Sequence, residues 1–161
     1  MRKVAIITDS TCCLPAELVA QHSIYVVPLL ICIGGKSFRD NIDITANEVY
    51  KVMRRGDDLP TTSVPTPDDF FKTYVKASKE AEGLVCITLT GLQSKTYETA
   101  VVGRRIAEEA IPKTTIEVID SRAVSGALGL TVLEAARAAD EGADLKEVCE
   151  VARRTMARVN F

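Results

Sequence analysis

The sequence predicts an α/β domain of three layers, α/β/α, built on a mostly parallel sheet. Two observations carry this. Short apolar runs suited to buried strands, Val4 to Ile7, Leu84 to Leu89 and Ile116 to Ile119, alternate with longer stretches of helical periodicity. Each run also breaks directly into hydroxyl and carboxylate groups: the first into Thr8-Asp9-Ser10-Thr11, the second into Thr90-Gly91 and Ser94, the third into Asp120-Ser121 and Ser125. In an open parallel sheet, ligands settle in the crevice outside the carboxyl ends of the strands. Three strands that end in Ser or Thr therefore predict one hydroxyl-lined pocket.

The elements follow in order. Val4 to Ile7 is the first strand, and a helix spans Pro15 to His22, with Pro15 in its first turn. Ile24 to Ile33 is rich in β-branched residues and reads as one second strand, with Pro28 at a bulge. Gly34-Gly35 turns the chain, and Ser37 to Asp40 is a short extended piece. A helix from Ala46 to Arg54 is ended by Gly56, and Thr61-Thr62-Ser63 lies in a proline-rich loop. Thr66, Pro67 and Asp69 together start a helix, as cap, first helical residue and capping-box acid, that runs to about Ala81. Leu84 to Leu89 is the third strand. Ser94 or a neighbour opens the next helix, whose Tyr97, Ala100, Val101, Ala107 and Ile111 share one face. Thr115 to Ile119 is the fourth strand, and Ser125 to Glu141 and Asp144 to Arg158 are two further helices. Val159-Asn160-Phe161 rises in apolar character without a stop signal, so the chain ends as another strand would begin.

At 161 residues the chain reads as one domain, 1–161, long enough to bury about 70% of its unfolded surface. A net charge of −2 and a pI near 5.5 argue against a nucleic-acid partner, which needs a basic surface. The paired arginines Arg104-Arg105 and Arg153-Arg154 are interleaved with glutamates and read as solvated helix faces. No apolar run approaches the ~18 residues that span a bilayer, and Thr8-Asp9 interrupts the N-terminal apolar run too early for a secretory signal. The expected location is the cytoplasm. Five cysteines (Cys12, Cys13, Cys32, Cys86, Cys149) form no CxxC pair and read as free thiols of a reducing compartment. With His22 the sole histidine, no zinc-ligand spacing is present.

Hydroxyls beside the free N–H groups of helix N-termini make an anion site. Thr62 and Ser94 fit that role best, with Thr8, Ser10 and Ser125 in second rank. His22 falls at the wrong side of the domain to act as a base and reads as a surface residue at a helix end. Asp9 and Asp120 could meet at adjacent strand ends as paired carboxylates for metal or acid–base work. Neither GxGxxG nor GxxxxGK[ST] occurs, so no dinucleotide or Walker loop is supported. The site can hold an anion but lacks an evident means of transforming it.

Taken together, Thr8-Asp9-Ser10-Thr11-Cys12-Cys13-Leu14-Pro15, Asp40 with Asp43-Ile44 and Tyr50, Thr62-Ser63-Val64-Pro65-Thr66-Pro67-Asp68-Asp69-Phe70, Thr90 to Tyr97, and Val118-Ile119-Asp120-Ser121 with Ser125 and Gly129 resemble the DegV family of bacterial fatty-acid-binding proteins. The likeness covers the whole chain in order. It implies a carrier that is not an enzyme and has no cofactor beyond its ligand, one long-chain fatty acid. A separate fatty acid kinase would receive the carboxylate for phospholipid synthesis, with transient membrane contact on the way. The resemblance matches Thr62 and Ser94 to the carboxylate holders, with Thr8, Ser10, Lys95 and Ser125 as supporting positions.

Three departures from the family pattern stand out: Lys95 in place of a glycine beside Ser94, Gln93 in place of a leucine, and Cys13 where an aspartate is common. Lys95 would either block the pocket or pair with the anion. Family members are also about twice as long, with a second domain that closes over the ligand and is absent from this chain. Surface left uncovered would favour self-association. Two other readings remain at this stage: a ligand-free scaffold whose pocket Lys95 fills, and a metal-dependent phosphotransfer enzyme built on Asp9 and Asp120.

Overall fold

The structure is a computed structural model and describes residues 2–56 and 58–159. β1 (Arg2–Asp9) carries the apolar run and continues through the buried Thr8 and Asp9. It closes in a 3-10 turn, Ser10–Cys12, capped by the Asp9 side chain, before α1 (Ala16–Gln21), with Pro15 at the cap position. The predicted Ile24–Ile33 strand is two strands. β2 (Tyr25–Val27) pairs with β1, the chain leaves that sheet at Pro28, and β3 (Leu30–Ile33) belongs to a second sheet. Pro28 marks a change of sheet rather than a bulge.

β4 (Lys36–Arg39) returns antiparallel to β3 through Gly34 and Gly35, whose φ values of 56° and 74° are those a glycine adopts readily. α2 (Ala46–Arg55) starts at a Thr45/Glu48 capping box and stops at Gly56. β5 (Thr61–Ser63) is the next correction: these hydroxyl residues form a strand, paired with Leu30 to Cys32 of β3. α3 (Pro67–Ala77) has the predicted Thr66/Asp69 capping box. It stops earlier than expected, because Ala81 already belongs to β6 (Ala81–Thr88). α4 (Thr96–Ala110), β7 (Thr115–Asp120), α5 (Ser125–Asp140) and α6 (Leu145–Met156) complete the chain close to their predicted places. Of the predicted strand-like ending, Asn160 and Phe161 lie outside the described residues.

The main sheet is wholly parallel, in the order β2-β1-β6-β7; the smaller one is antiparallel, β4-β3-β5. Side chains alternate across the main sheet. Val4 and Ile6 of β1 join Val85 and Ile87 of β6 against Leu128, Val132 and Val148 of α5 and α6. Ala5 and Ile7 join Leu84 and Cys86 against Phe70, Tyr74, Ala100 and Ala107 of α3 and α4. These two cores on opposite faces make the three α/β/α layers. α3 and α4 approach closely because Gly103 has no side chain: a Cβ there would lie 2.7 Å from the Pro67 carbonyl oxygen. Among the described residues, no helix is long and apolar enough to cross a membrane.

Candidate functional site

All four main strands point the same way, so their carboxyl ends share one edge of the sheet. Most candidates sit on that edge, which three loops form: 10–15 after β1, 89–95 after β6 and 121–124 after β7. Asp9 is fully buried. One of its carboxylate oxygens accepts the Leu89 N–H at 2.8 Å; the other accepts the Thr11 N–H at 3.0 Å and the Thr11 hydroxyl. Burial pushes its pKa up, opposed by the bonds from the Thr11 hydroxyl and from the Leu89 and Thr11 amides. Asp120 Oδ1 accepts the N–H groups of Gly91, at 3.1 Å, and Arg122, at 2.9 Å.

The expected meeting of Asp9 and Asp120 does not occur. β6 lies between β1 and β7, so two strand spacings, about 9–10 Å, separate the strands that carry them. Each carboxylate accepts backbone amides instead, Asp9 through both oxygens and Asp120 through Oδ1. Among the described residues, no group of three His, Cys, Asp or Glu side chains is arranged to hold a metal ion.

Ser94 is half-buried just ahead of α4. Its Oγ accepts the Thr96 N–H at 3.2 Å and lies 2.9 Å from the Thr96 hydroxyl. The hydroxyl thus stands at the positive end of a 15-residue helix. Thr62 is exposed at the centre of β5, opposite Ile31, and leads through Val64 and the buried Pro65 to the Thr66 cap of α3. Thr62 and Ser94 therefore precede the N-termini of two helices that pack together, and no hydrogen bond joins them.

The second-rank candidates divide. Ser10 is buried and its Oγ accepts the Leu29 N–H at 3.1 Å, which anchors the chain where it passes between the sheets. Thr8 is buried, with no hydrogen-bond partner for its hydroxyl, and its alternation places it on the α5/α6 side with Val4 and Ile6. Ser125 is exposed, at a φ of 52° that non-glycine residues rarely adopt.

Lys95 has an exposed side chain and lines neither of the two clefts that border the main sheet. Its φ is −83°, so the freedom of a glycine is not needed there, and its ammonium pairs in solvent with Glu98 Oε1 at 3.0 Å. Such an exposed pair contributes little. Lys95→Ala is accordingly expected to leave ligand affinity within about twofold of wild type by isothermal titration; a large change in either direction would contradict this placement.

His22 is another correction, since it is buried rather than at the surface. Its Nδ1 lies 2.6 Å from Asp140 Oδ2, and its carbonyl accepts from Arg2 at the start of β1. It is therefore at the amino end of the sheet, away from the loops above, as the sequence predicted. The five cysteines are free thiols. Burial pushes Cys12 up to about 11 and Cys86 up to about 12, which removes them as thiolate nucleophiles near neutral pH.

Two clefts border the main sheet. One of about 1040 Å³ runs along β2, with Cys12, Leu14, Val19 and Ile24 on one side and Thr73 and Lys76 on the other. Another of about 860 Å³ lies beside β7, between Tyr97 and Arg153. Neither is lined by Thr62 or Ser94. In the sequence Thr90 is one of the strand-end hydroxyls but does not rank among the candidate site residues. It is buried, its N–H donates to the Ala123 carbonyl at 2.9 Å, and its hydroxyl accepts the Leu92 N–H. A hydroxyl wedged between a strand end and Gly91 was the available signal.

The family model described as an uncharacterised protein of the DegV family matches residues 3–161. A DegV domain-containing protein of Caldanaerobacter subterraneus is 40% identical over 159 residues, which are 99% of this chain and 55% of the relative. Among solved structures, a DegV family protein from Thermus thermophilus described for its fatty acid binding is 33% identical, with a TM-score of 0.84, over 98% of this chain and 54% of the other. A stearic-acid-binding protein from Eubacterium ventriosum is 28% identical, with a TM-score of 0.85, over 95% of this chain and 52% of the other. The chain thus spans about half the length of the relatives it matches.

Proposed function

The chain belongs to the DegV family, and from that premise we propose that it binds a long-chain fatty acid by its carboxylate and carries the acid without transforming it. The observation that carries this reading is the Ser94 hydroxyl at the N-terminus of α4, an arrangement suited to an anion, while Asp9 and Asp120 at the same sheet edge accept backbone amides. Thr62, ahead of the neighbouring helix, is the proposed second holder. The fatty acids of the two solved relatives support the ligand class.

A carrier of this kind needs a separate enzyme to activate the carboxylate, and we assign that step to a fatty acid kinase acting in the cytoplasm. Loading by transient membrane contact belongs to the same proposal. So does association through exposed apolar side chains, of which Leu59 and Leu92 are 76% and 88% accessible.

Native mass spectrometry of the protein purified from cells tests the ligand and the residues together. Wild type is expected to carry a fatty acid, and Thr62→Ala with Ser94→Ala is expected to lose it. Two charge-assisted hydrogen bonds together correspond to a loss of about a hundredfold or more in affinity. An unchanged lipid load in the double variant would remove these two residues from the site.

A further inference from the structure

We propose that Asp9 and Asp120 are positioning residues for Ser94, acting as two carboxylate anchors that fix the β6–α4 loop from opposite sides. This rests on the fatty-acid reading for its purpose, but its geometry is independent of that reading. Three consecutive amides of the loop, Leu89, Thr90 and Gly91, donate to three different acceptors: Asp9 Oδ2 from the end of β1, the Ala123 carbonyl, and Asp120 Oδ1 from the end of β7. The loop then folds back on its own anchored residue. The Thr90 carbonyl accepts the N–H groups of Gln93, at 3.2 Å, and Ser94, at 3.3 Å, while Thr90 Oγ1 accepts that of Leu92. The loop's own bonds to Leu92, Gln93 and Ser94 therefore all start from Thr90, the middle one of the three anchored residues. A buried amide without an acceptor is costly, and an ionised acceptor makes the stronger bond. Gly91 gives Asp120 room to approach, because a Cβ at that position would lie 3.1 Å from Asp120 Oδ2.

The two carboxylates work differently, and this separates geometry from charge. Asp120 makes both of its bonds with one oxygen, Oδ1. Asparagine can supply the same acceptor. Asp9 uses both oxygens, one for Leu89 and one for Thr11. Asparagine there would turn an NH2 toward a backbone N–H whichever way its amide is placed.

The test uses the full chain with Asp120→Ala, Asp120→Asn and Asp9→Asn, at a temperature where circular dichroism shows each variant folded. Hydrogen exchange of residues 89–94 is measured without ligand, and stearate affinity by titration. Asp120→Ala and Asp9→Asn are expected to speed exchange at Gly91 to Ser94 and to weaken stearate binding by about tenfold or more. Asp120→Asn should stay within about threefold of wild type on both measures. Unchanged exchange in Asp120→Ala would overturn the anchoring. Faster exchange with unchanged affinity would overturn the positioning role, and failure of Asp120→Asn alongside Asp120→Ala would show that charge rather than acceptor geometry matters. If wild type itself binds no stearate, the fatty-acid reading falls, and exchange at Ser94 alone decides whether the anchors fix it.

Discussion

A Phe70→Ala variant is expected to lose about 3–5 kcal/mol of folding stability, a large part of the roughly 5–15 kcal/mol available to a domain of this kind. Phe70 is wholly buried on the inner face of α3, at a ring-centroid distance of 6.1 Å from the equally buried Tyr74. The space it fills cannot close by a shift of α4. That helix is already in contact at Gly103, where even a methyl group would lie 2.8 Å from Phe70 Cβ, and the Tyr74 hydroxyl holds the Ala100 carbonyl at 3.1 Å. A cavity therefore remains, which places the cost toward the upper end of the range. At about 2–4 °C per kcal/mol for a chain of this size, the melting temperature should fall by roughly 6–20 °C in calorimetry. A loss below about 1 kcal/mol would mean that the two helices repack, contrary to the contact at Gly103.

Gly129→Ala should destabilise the protein although alanine is the better helix former by about 1 kcal/mol. Gly129 of α5 lies over the 3-10 turn that follows β1, and a Cβ there would stand 2.5 Å from the Cys12 carbonyl oxygen and 3.3 Å from Leu14. The obstacle is backbone, and Asp9 caps the turn that carries it. α5 cannot retreat either, since Leu128 and Val132 on the same helix are wholly buried against the sheet. Overpacking of this kind costs about 1–3 kcal/mol net. Gly126, three residues earlier, is the control: a Cβ there meets nothing within 4 Å. Gly126→Ala should stay within about 1 kcal/mol of wild type or gain slightly. Equal stability of the two variants in urea unfolding would contradict the packing of α5 on the turn.

The parallel sheet was legible because β1 and β6 are buried along most of their length and read as near-continuous apolar runs, while the edge strand β7 still shows Ile116, Val118 and Ile119 around Glu117. The capping box at Thr66 and the helix start at Asp144 were legible because both signals are local. What failed was decided by distant partners. The β-branched run from Ile24 to Ile33 continues through Pro28, and only the contacts of Leu29 with Ser10 and Asp40 show where it changes sheet. Thr61 to Ser63 has no apolar residue to mark it as a strand; its pairing with β3 makes it one. His22 is buried by Asp140, 118 residues away, and Asp9 finds its amide at Leu89, 80 residues away. Within the site, a hydroxyl beside a helix start was readable at Ser94. The role of Asp9 and Asp120 was not, because a carboxylate after a strand looks the same whether it faces a metal, a substrate or a backbone N–H.

The most direct test is a crystal structure of this chain with stearate. The account predicts carboxylate oxygens about 2.5–3.0 Å from both Thr62 Oγ1 and Ser94 Oγ. Stearate bound with its carboxylate in the cleft between Tyr97 and Arg153, and with both of those hydroxyls untouched, would contradict it.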